Sequence, residues 1–382
     1  MPTDVRRDVA TAMAAAATAW LESLTPAQAV PARGPAPGGE GDDERLRWFY
    51  TPTDHGGLTM HDQRPAQQRL AMALVASGLS AAAYGTVATV MGLENVLDRT
   101  EGFVATWGRE RGRDPGLYYL RVFGEPGGAR PWAWRFGGHH VSVNMLVVDG
   151  RVVAVTPLFL GADPATSPLL GGATLRPLGA VEDLARELVG SLDPELAARA
   201  VLLPRAPSDI VGANRTRVSD GDEVVPLAGV WRGAFTDPAE QATLQRASDA
   251  IDENAGLDAA DHRALALTTA PKGVPASALD AGQRALLRAV LDTYLGRVPD
   301  GLAPSYADEA ALDAVHLAWA GGTAPGEPHY YRLQGPRLLL EWDNTQRQVN
   351  HAHSVWRDPE ADFGLDVLAA HRDRHHTDDR SA

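Results

Sequence analysis

Apolar residues recur every three or four positions through most of the first hundred residues, then every second position after Gly116, so the chain passes from helical to extended periodicity. The Ala-rich stretch Ala10–Leu21 reads as an amphipathic helix ending near Leu24. Leu46–Tyr50 reads as a short aromatic strand or extended piece before Thr51-Pro52. Pro65 opens a helix that runs from Ala66 towards Leu79, since proline suits a first turn whose N–H needs no partner. A second helix covers Ala82–Arg99, with Leu93, Val96 and Leu97 on its buried stripe. Leu117–Phe123, Trp132–Phe136, His140–Val148 and Arg151–Thr156 then read as strands, the last two joined by the hairpin signal Asp149-Gly150.

Val181–Leu192, Pro238–Ala250 and Ala276–Leu295 return to the helical period, while the Gly-rich residues 205–235 give no clear element. The chain ends in strands at Ala314–Trp319, His329–Gln334 and Arg337–Asp343, then a loop and a last helix between Arg357 and Arg374. The fold class is therefore α+β: one or two antiparallel sheets flanked by helices.

Leu120 to Asn144 aligns without gaps on Leu317 to Glu341, setting Gly124 on Gly321, Pro131 on Pro328, Arg135 on Arg332 and Gly138 on Gly335. An Ala-x-Gln-Arg helix precedes each, at Ala66–Arg69 and Ala281–Arg284. This predicts a possible two-fold internal repeat of helix plus β-hairpin, against chance recurrence of turn residues. The expected organisation is an N-terminal helix and Pro/Gly loop over residues 1–45, then a single domain over 46–382. Its two halves would run from about 46 to 200 and from about 236 to 375.

Composition narrows the chemistry. A net charge of -14 over 382 residues argues against phosphate-backbone binding and against docking on anionic lipid. The absence of cysteine excludes disulfides, thiolate metal sites and thiol catalysis, so any metal must be held by histidine and carboxylate. Ala10–Leu21 is too short to span a bilayer, and Asp4 and Asp8 interrupt a signal-peptide order, so a soluble cytoplasmic protein is expected. No phosphate loop, dinucleotide fingerprint, nucleophile elbow or H-E-x-x-H motif is present.

The chemistry-bearing residues concentrate between His329 and Asp358. His351 and His353 are spaced i, i+2, which in an extended chain turns both rings to one face. Glu341 and Asp343 share the same spacing, on a face otherwise apolar through Leu339. A carboxylate there needs a cation, whether Arg332, Arg337 or a metal, or it must protonate. In His139-His140 the polar companions Ser142 and Asn144 favour His140 as the site residue and leave His139 structural. His316 reads as a core histidine, Asp54-His55 as a weak catalytic pair, and His375-His376 as a frayed tail. Abundant indoles beside these residues suggest either packing or an aromatic-walled pocket.

The runs HYYRLQGP (329–336), EWDNTQ (341–346), NHAHSVWRD (350–358) and DFG (362–364) resemble the signature of a bacterial and fungal family known as the domain of unknown function 3500. LVASGLS (74–80), LENVL (93–97), LYYLRVFGEP (117–126) and WAWRFGGHH (132–140) extend the resemblance over most of the chain. It implies that His139, His140, His316, His329, Glu341, Asp343, Asn344, Asn350, His351, His353, Arg357 and Asp358 occupy signature positions, without assigning roles. His55 stands where the family pattern has arginine, which weakens a catalytic role for it. Relatives in this family tend to begin with an export signal that this N-terminus does not show.

These readings predict a metal-dependent enzyme acting on a small organic substrate, hydrolytic or oxidative. His140, His329, Glu341 and His353 would bind one divalent metal (zinc, copper, iron or manganese), and Glu341, Asp343 and His351 would do acid–base work. Arg332, Arg357, Asn144, Asn350 and Trp342 would hold substrate. Asp343 or Asp358 would orient a ligand histidine. The alternatives are a metal-free acid–base enzyme and a non-catalytic small-molecule-binding protein; the oligomeric state stays open.

Overall fold

The computed structural model describes residues 4–232 and 237–369. The His375-His376 pair and the end of the last expected helix lie outside them. Helix α1 is Val5–Glu22; α2 is Pro65–Gly78, with Pro65 in its first turn; α3 is Ala81–Thr100, capped by the Ser80 hydroxyl. Four strands follow: β1 Tyr118–Phe123, β2 Trp132–Gly138, β3 Val141–Val148 and β4 Leu158–Ala162. Then come α4 Gly179–Gly190, α5 Pro238–Ala255 and α6 Ala281–Leu295. Strands β5 His316–Gly321, β6 His329–Gly335, β7 Leu338–Asp343 and β8 Ala352–Arg357 complete the frame. The expected helix from Ala276 starts five residues late, because Asp280 caps the helix through the Gln283 N–H. Leu46–Tyr50 forms no strand; Trp48 and Tyr50 are buried against Phe159, and the Tyr50 carbonyl accepts from the His140 N–H.

The sheet is one continuous layer in the order β1-β2-β3-β4-β8-β7-β6-β5. These eight strands are antiparallel, but the short edge strands Arg33–Gly34 and Val201–Leu203 pair parallel, so the sheet as a whole is mixed. β4 and β8 meet at the centre, with Leu158 opposite Trp356. One sheet face buries its apolar side chains against α1, α2, α3, α4 and α6. Trp20 of α1 is fully buried there and donates its Nε1–H to Gln63. Burying an indole of that size contributes about 5 kcal/mol.

The two hairpins share their registers. Leu120 faces Phe136 as Leu317 faces Leu333, and Arg135 faces Asn144 as Arg332 faces Glu341. The helices match as well: Gln67 accepts from the Arg64 N–H and donates to the Ser23 carbonyl, while Gln283 accepts from the Asp280 N–H and donates to the Ser191 carbonyl. The helical counterpart of Gln283 is thus Gln67, one residue before the glutamine that the sequence alignment selects.

Candidate metal centre

The site lies on the face of the sheet opposite the main helical layer, where β4 meets β8. His353 on β8 is flanked by Asp343 of β7 and Gly161 of β4. His140 sits in the tight connection between β2 and β3 with a left-handed φ of 64°. A non-glycine residue in this region carries a cost of about 1–2 kcal/mol, and such strain gathers where function fixes a side chain. Here the turn is docked on both sides: the His140 N–H donates to Tyr50, and its carbonyl accepts from Gly161. Gly161 is needed for this, since a Cβ there would lie 2.8 Å from the His140 ring and from the Ala352 carbonyl. The ring of His140 can therefore lie over β4 beside His353.

Three imidazoles converge as a result. His140 Nε2 is 2.7 Å from His351 Nε2 and 3.3 Å from His353 Nε2. His353 donates its Nδ1–H to Asp209 at 2.7 Å, which leaves its Nε2 lone pair aimed at the other two rings. Asp209 is itself held by the Tyr50 hydroxyl at 2.8 Å and by the Ile210 N–H. Burial, followed by the neighbouring histidines, holds His140 and His351 well below the ordinary imidazole range, so both are neutral. Neutral imidazole is the form that binds a metal. The three rings could hold a divalent ion by nitrogen alone.

A second layer fixes these rings. His139 stacks on His140 with centroids 3.8 Å apart, and its Nδ1 lies 2.6 Å from Glu94. Burial raises the Glu94 carboxyl to about 8 and keeps His139 neutral, so the protonated acid donates to the imidazole. Next to them Arg113 grips Glu101 with two hydrogen bonds, and Arg347 bridges Glu101 and Asp163. Burial pushes Asp163 up to about 6, against the pull of Arg347.

The rings open into a cavity of about 430 Å³. Its polar lining includes the three histidines with Arg113, Glu101 and Arg347; its apolar lining comes from Leu227, Val230 and the α5 residues Leu244, Ala247 and Ile251, with Trp107 and Trp231. A nitrogen-bound metal with one position facing such a cavity has the layout of a catalytic rather than a closed structural centre.

The ligand set read from the sequence, His140, His329, Glu341 and His353, is not assembled. His329 pairs with Gly321 and falls on the helical face of the sheet, where it stacks on Trp319 at 4.6 Å and 3°. Glu341 shares a face with His353 but is closed off: it accepts from the Tyr330 hydroxyl and from the Gly212 N–H. Its expected partner Arg332 donates instead to the Leu265 and Ala266 carbonyls. His351, expected to act as an acid or base, stands with the other two imidazoles. Asp343 lies beside His353 and Asp209, fully buried, and burial with the Asp209 charge raises it well above the carboxylate range.

None of the expected substrate residues lines the cavity. Arg357 is bound to Asp362, Asn144 to Ser142 and Pro157, and Asn350 to the Thr166 N–H. Trp342 lies on the helical face with His329, and Asp358 pairs with Arg337 away from the histidines. His55 is buried, stacked on Tyr119, and donates to the Thr51 carbonyl. His316 is half-buried beside the Ala314 carbonyl.

Sequence reasoning missed Asp209, Glu94, Glu101, Arg113 and Asp163, while Trp107 and Trp231, two of the indoles weighed for an aromatic-walled pocket, do line the cavity. Asp209 lies in the Gly-rich stretch without a period, and Glu94 was hidden in a helical stripe. Glu94, inside the LENVL run, and Arg347, between the EWDNTQ and NHAHSVWRD runs, carried a usable signal.

Among the described residues no helix is long and apolar enough to cross a membrane. No protein of curated function matches the chain, and no solved structure does. The family model described as "Protein of unknown function (DUF3500)" matches residues 6–365, from α1 to the residue after the DFG run, and the chain belongs to that family.

Proposed function

We propose that the protein is an enzyme that uses one divalent metal, bound by the Nε2 atoms of His140, His351 and His353, to act on a small organic substrate. One observation carries this reading: three buried imidazoles, one from the β2–β3 turn and two from the start of β8, bring their Nε2 atoms to a common position facing a cavity. Packing alone gives no reason to bury three such rings with their polar atoms facing each other. The Asp209–His353 bond is the carboxylate support that metal-bound histidines commonly have.

Three neutral nitrogen ligands suit zinc or copper, and the two-histidine, one-carboxylate set of non-haem iron oxygenases is not matched. With zinc, such a centre lowers the pKa of bound water to about 7 and makes hydroxide available at neutral pH. The chain's own part is to hold the ligands, exclude bulk water and orient the substrate over the open position. Hydrolysis by metal-bound water is the reading this donor set favours over oxidation.

Equilibrium dialysis against zinc, followed by elemental analysis, tests the reading. Wild type and His329→Ala should each retain one equivalent, while His140→Ala and His353→Ala, checked as folded by circular dichroism, should retain none. Equal metal content in all four proteins, or none in wild type, would refute it.

A further inference from the structure

The support of His351 is unfinished. His353 rests on Asp209, and His140 is held by the backbone bonds of its turn and by the His139 ring. His351 stands just before β8, and its Nδ1 is buried without a hydrogen-bond partner. Because His353 keeps its proton on Nδ1, its Nε2 offers a lone pair to His140. The proton between the three rings therefore sits best on His140 Nε2, within reach of both neighbours. His351 then accepts through Nε2 and carries its own proton on Nδ1. That N–H is a buried donor without an acceptor, which is costly to leave unmade.

A carboxylate stands beside it. Asp163 Oδ2 lies 3.8 Å from His351 Nδ1, and both side chains are enclosed. Two clamps hold Asp163 there. The Ala165 N–H donates to the Asn350 carbonyl at 3.0 Å and the Thr166 N–H to Asn350 Oδ1 at 2.7 Å, so the segment after Asp163 is tied to the residue before His351. Arg347 adds the second clamp, its Nε 2.9 Å from Asp163 Oδ2. A carboxylate offers about four acceptor sites, so this contact leaves room for an N–H.

On the metal reading above, we infer that Asp163 is the positioning residue of His351, taking its Nδ1–H as Asp209 takes that of His353. The distances agree with one small movement. Two nitrogens sharing one zinc stand roughly 3.3 Å apart, so His351 Nε2 must draw back from His140 by about half an ångström. Closing the 3.8 Å gap to a hydrogen bond of about 2.8–3.0 Å needs a shift of similar size. The bond fixes the tautomer and orientation of the ring. Through Arg347 it also ties the metal to the wall of the cavity.

Full-length protein carrying isotope-labelled histidine supplies the test. Proton–nitrogen spectra of the zinc-loaded wild type should show a slowly exchanging Nδ1–H signal from His351 beside that of His353. Asp163→Ala should lose the first and keep the second, and its zinc affinity, measured against a chromophoric chelator, should fall about 10- to 100-fold. Arg347→Gln breaks the same ion-pair network but leaves the carboxylate, and should keep the His351 signal. If Asp163→Ala does not fold, a zinc-loaded wild-type crystal decides, where the Nδ1–Oδ2 distance should be below about 3.2 Å. Zinc-loaded wild type without that signal or that shortening, wild-type affinity in Asp163→Ala, or loss of the signal in Arg347→Gln overturns this inference and leaves the metal reading standing. Protein that takes up no zinc overturns both.

Discussion

His140 and His351 lie 211 positions apart in the chain, yet their Nε2 atoms are 2.7 Å from each other. Two nitrogens on one tetrahedral zinc stand roughly 3.3 Å apart, given bonds of about 2.0–2.1 Å. The His140–His353 pair already has that spacing, at 3.3 Å. Metal binding therefore has to spread the His140–His351 pair by a fraction of an ångström, while the sheet and the Asp209 bond hold His353 in place.

Asp209→Asn should weaken zinc binding about 10- to 100-fold without abolishing it, because the amide still reaches His353 but no longer favours its Nδ1–H tautomer. Competition titration with a chromophoric chelator measures the change. An unchanged affinity would show that Asp209 does not act through His353.

His329→Ala should cost about 3 kcal/mol of stability, the expected price of emptying a ring-sized site between Trp319 and Trp342. It should leave zinc affinity as in wild type. Denaturant melts paired with zinc titration check both halves of this expectation.

His55 gives the clearest pH signature. Burial lowers its folded value to about 4 from 6.5, with the Thr51 bond opposing the shift. Between pH 4 and 6.5 the unfolded chain binds this proton and the folded one does not, so its contribution is complete above 6.5 and is lost as pH falls towards 4. The slope is about 1.4 kcal/mol per pH unit, or about 3 kcal/mol across the window. His55→Gln keeps a donor for Thr51 and should remove that slope. The difference between wild-type and variant stability, followed by urea melts from pH 7 to 4.5, should therefore shrink as pH falls. A constant difference would contradict the assignment.

Glu341→Gln should retain its zinc, since this carboxylate is spent on Tyr330 and Gly212 rather than on the centre. Gly212→Ala should destabilise by about 1–3 kcal/mol, because the new Cβ would lie 2.5 Å from Glu341 Oε2. Thermal melts and metal analysis of both variants separate the structural role from the ligand role.

Much of the frame was legible because period and turn chemistry agree along it. Alternation marked β3, Asp149-Gly150 closed its hairpin, and Pro65 opened α2. The i, i+2 spacing of His351 and His353 gave a shared face, and Ser142 with Asn144 singled out His140. What failed was parity between strands. Tyr330 pairs with Asp343, so Tyr330 and Arg332 share the face of Glu341, and His329 must point the other way. A strand's own sequence fixes which residues go together, but its partner's register fixes which face they share with the rest. Asp209 was beyond reach because the segment that carries it is ordered by bonds of Asp209 to Tyr50 and His353 and of the Gly212 N–H to Glu341, not by any local period.

The most direct test of the metal centre is an anomalous difference map from crystals grown with zinc and measured on either side of the zinc edge. The account predicts one strong peak about 2.0–2.1 Å from the Nε2 atoms of His140, His351 and His353, open on its fourth side to the cavity beneath α5. A zinc-saturated crystal with no peak between those rings, or with its peak at His329 or Glu341, would contradict it.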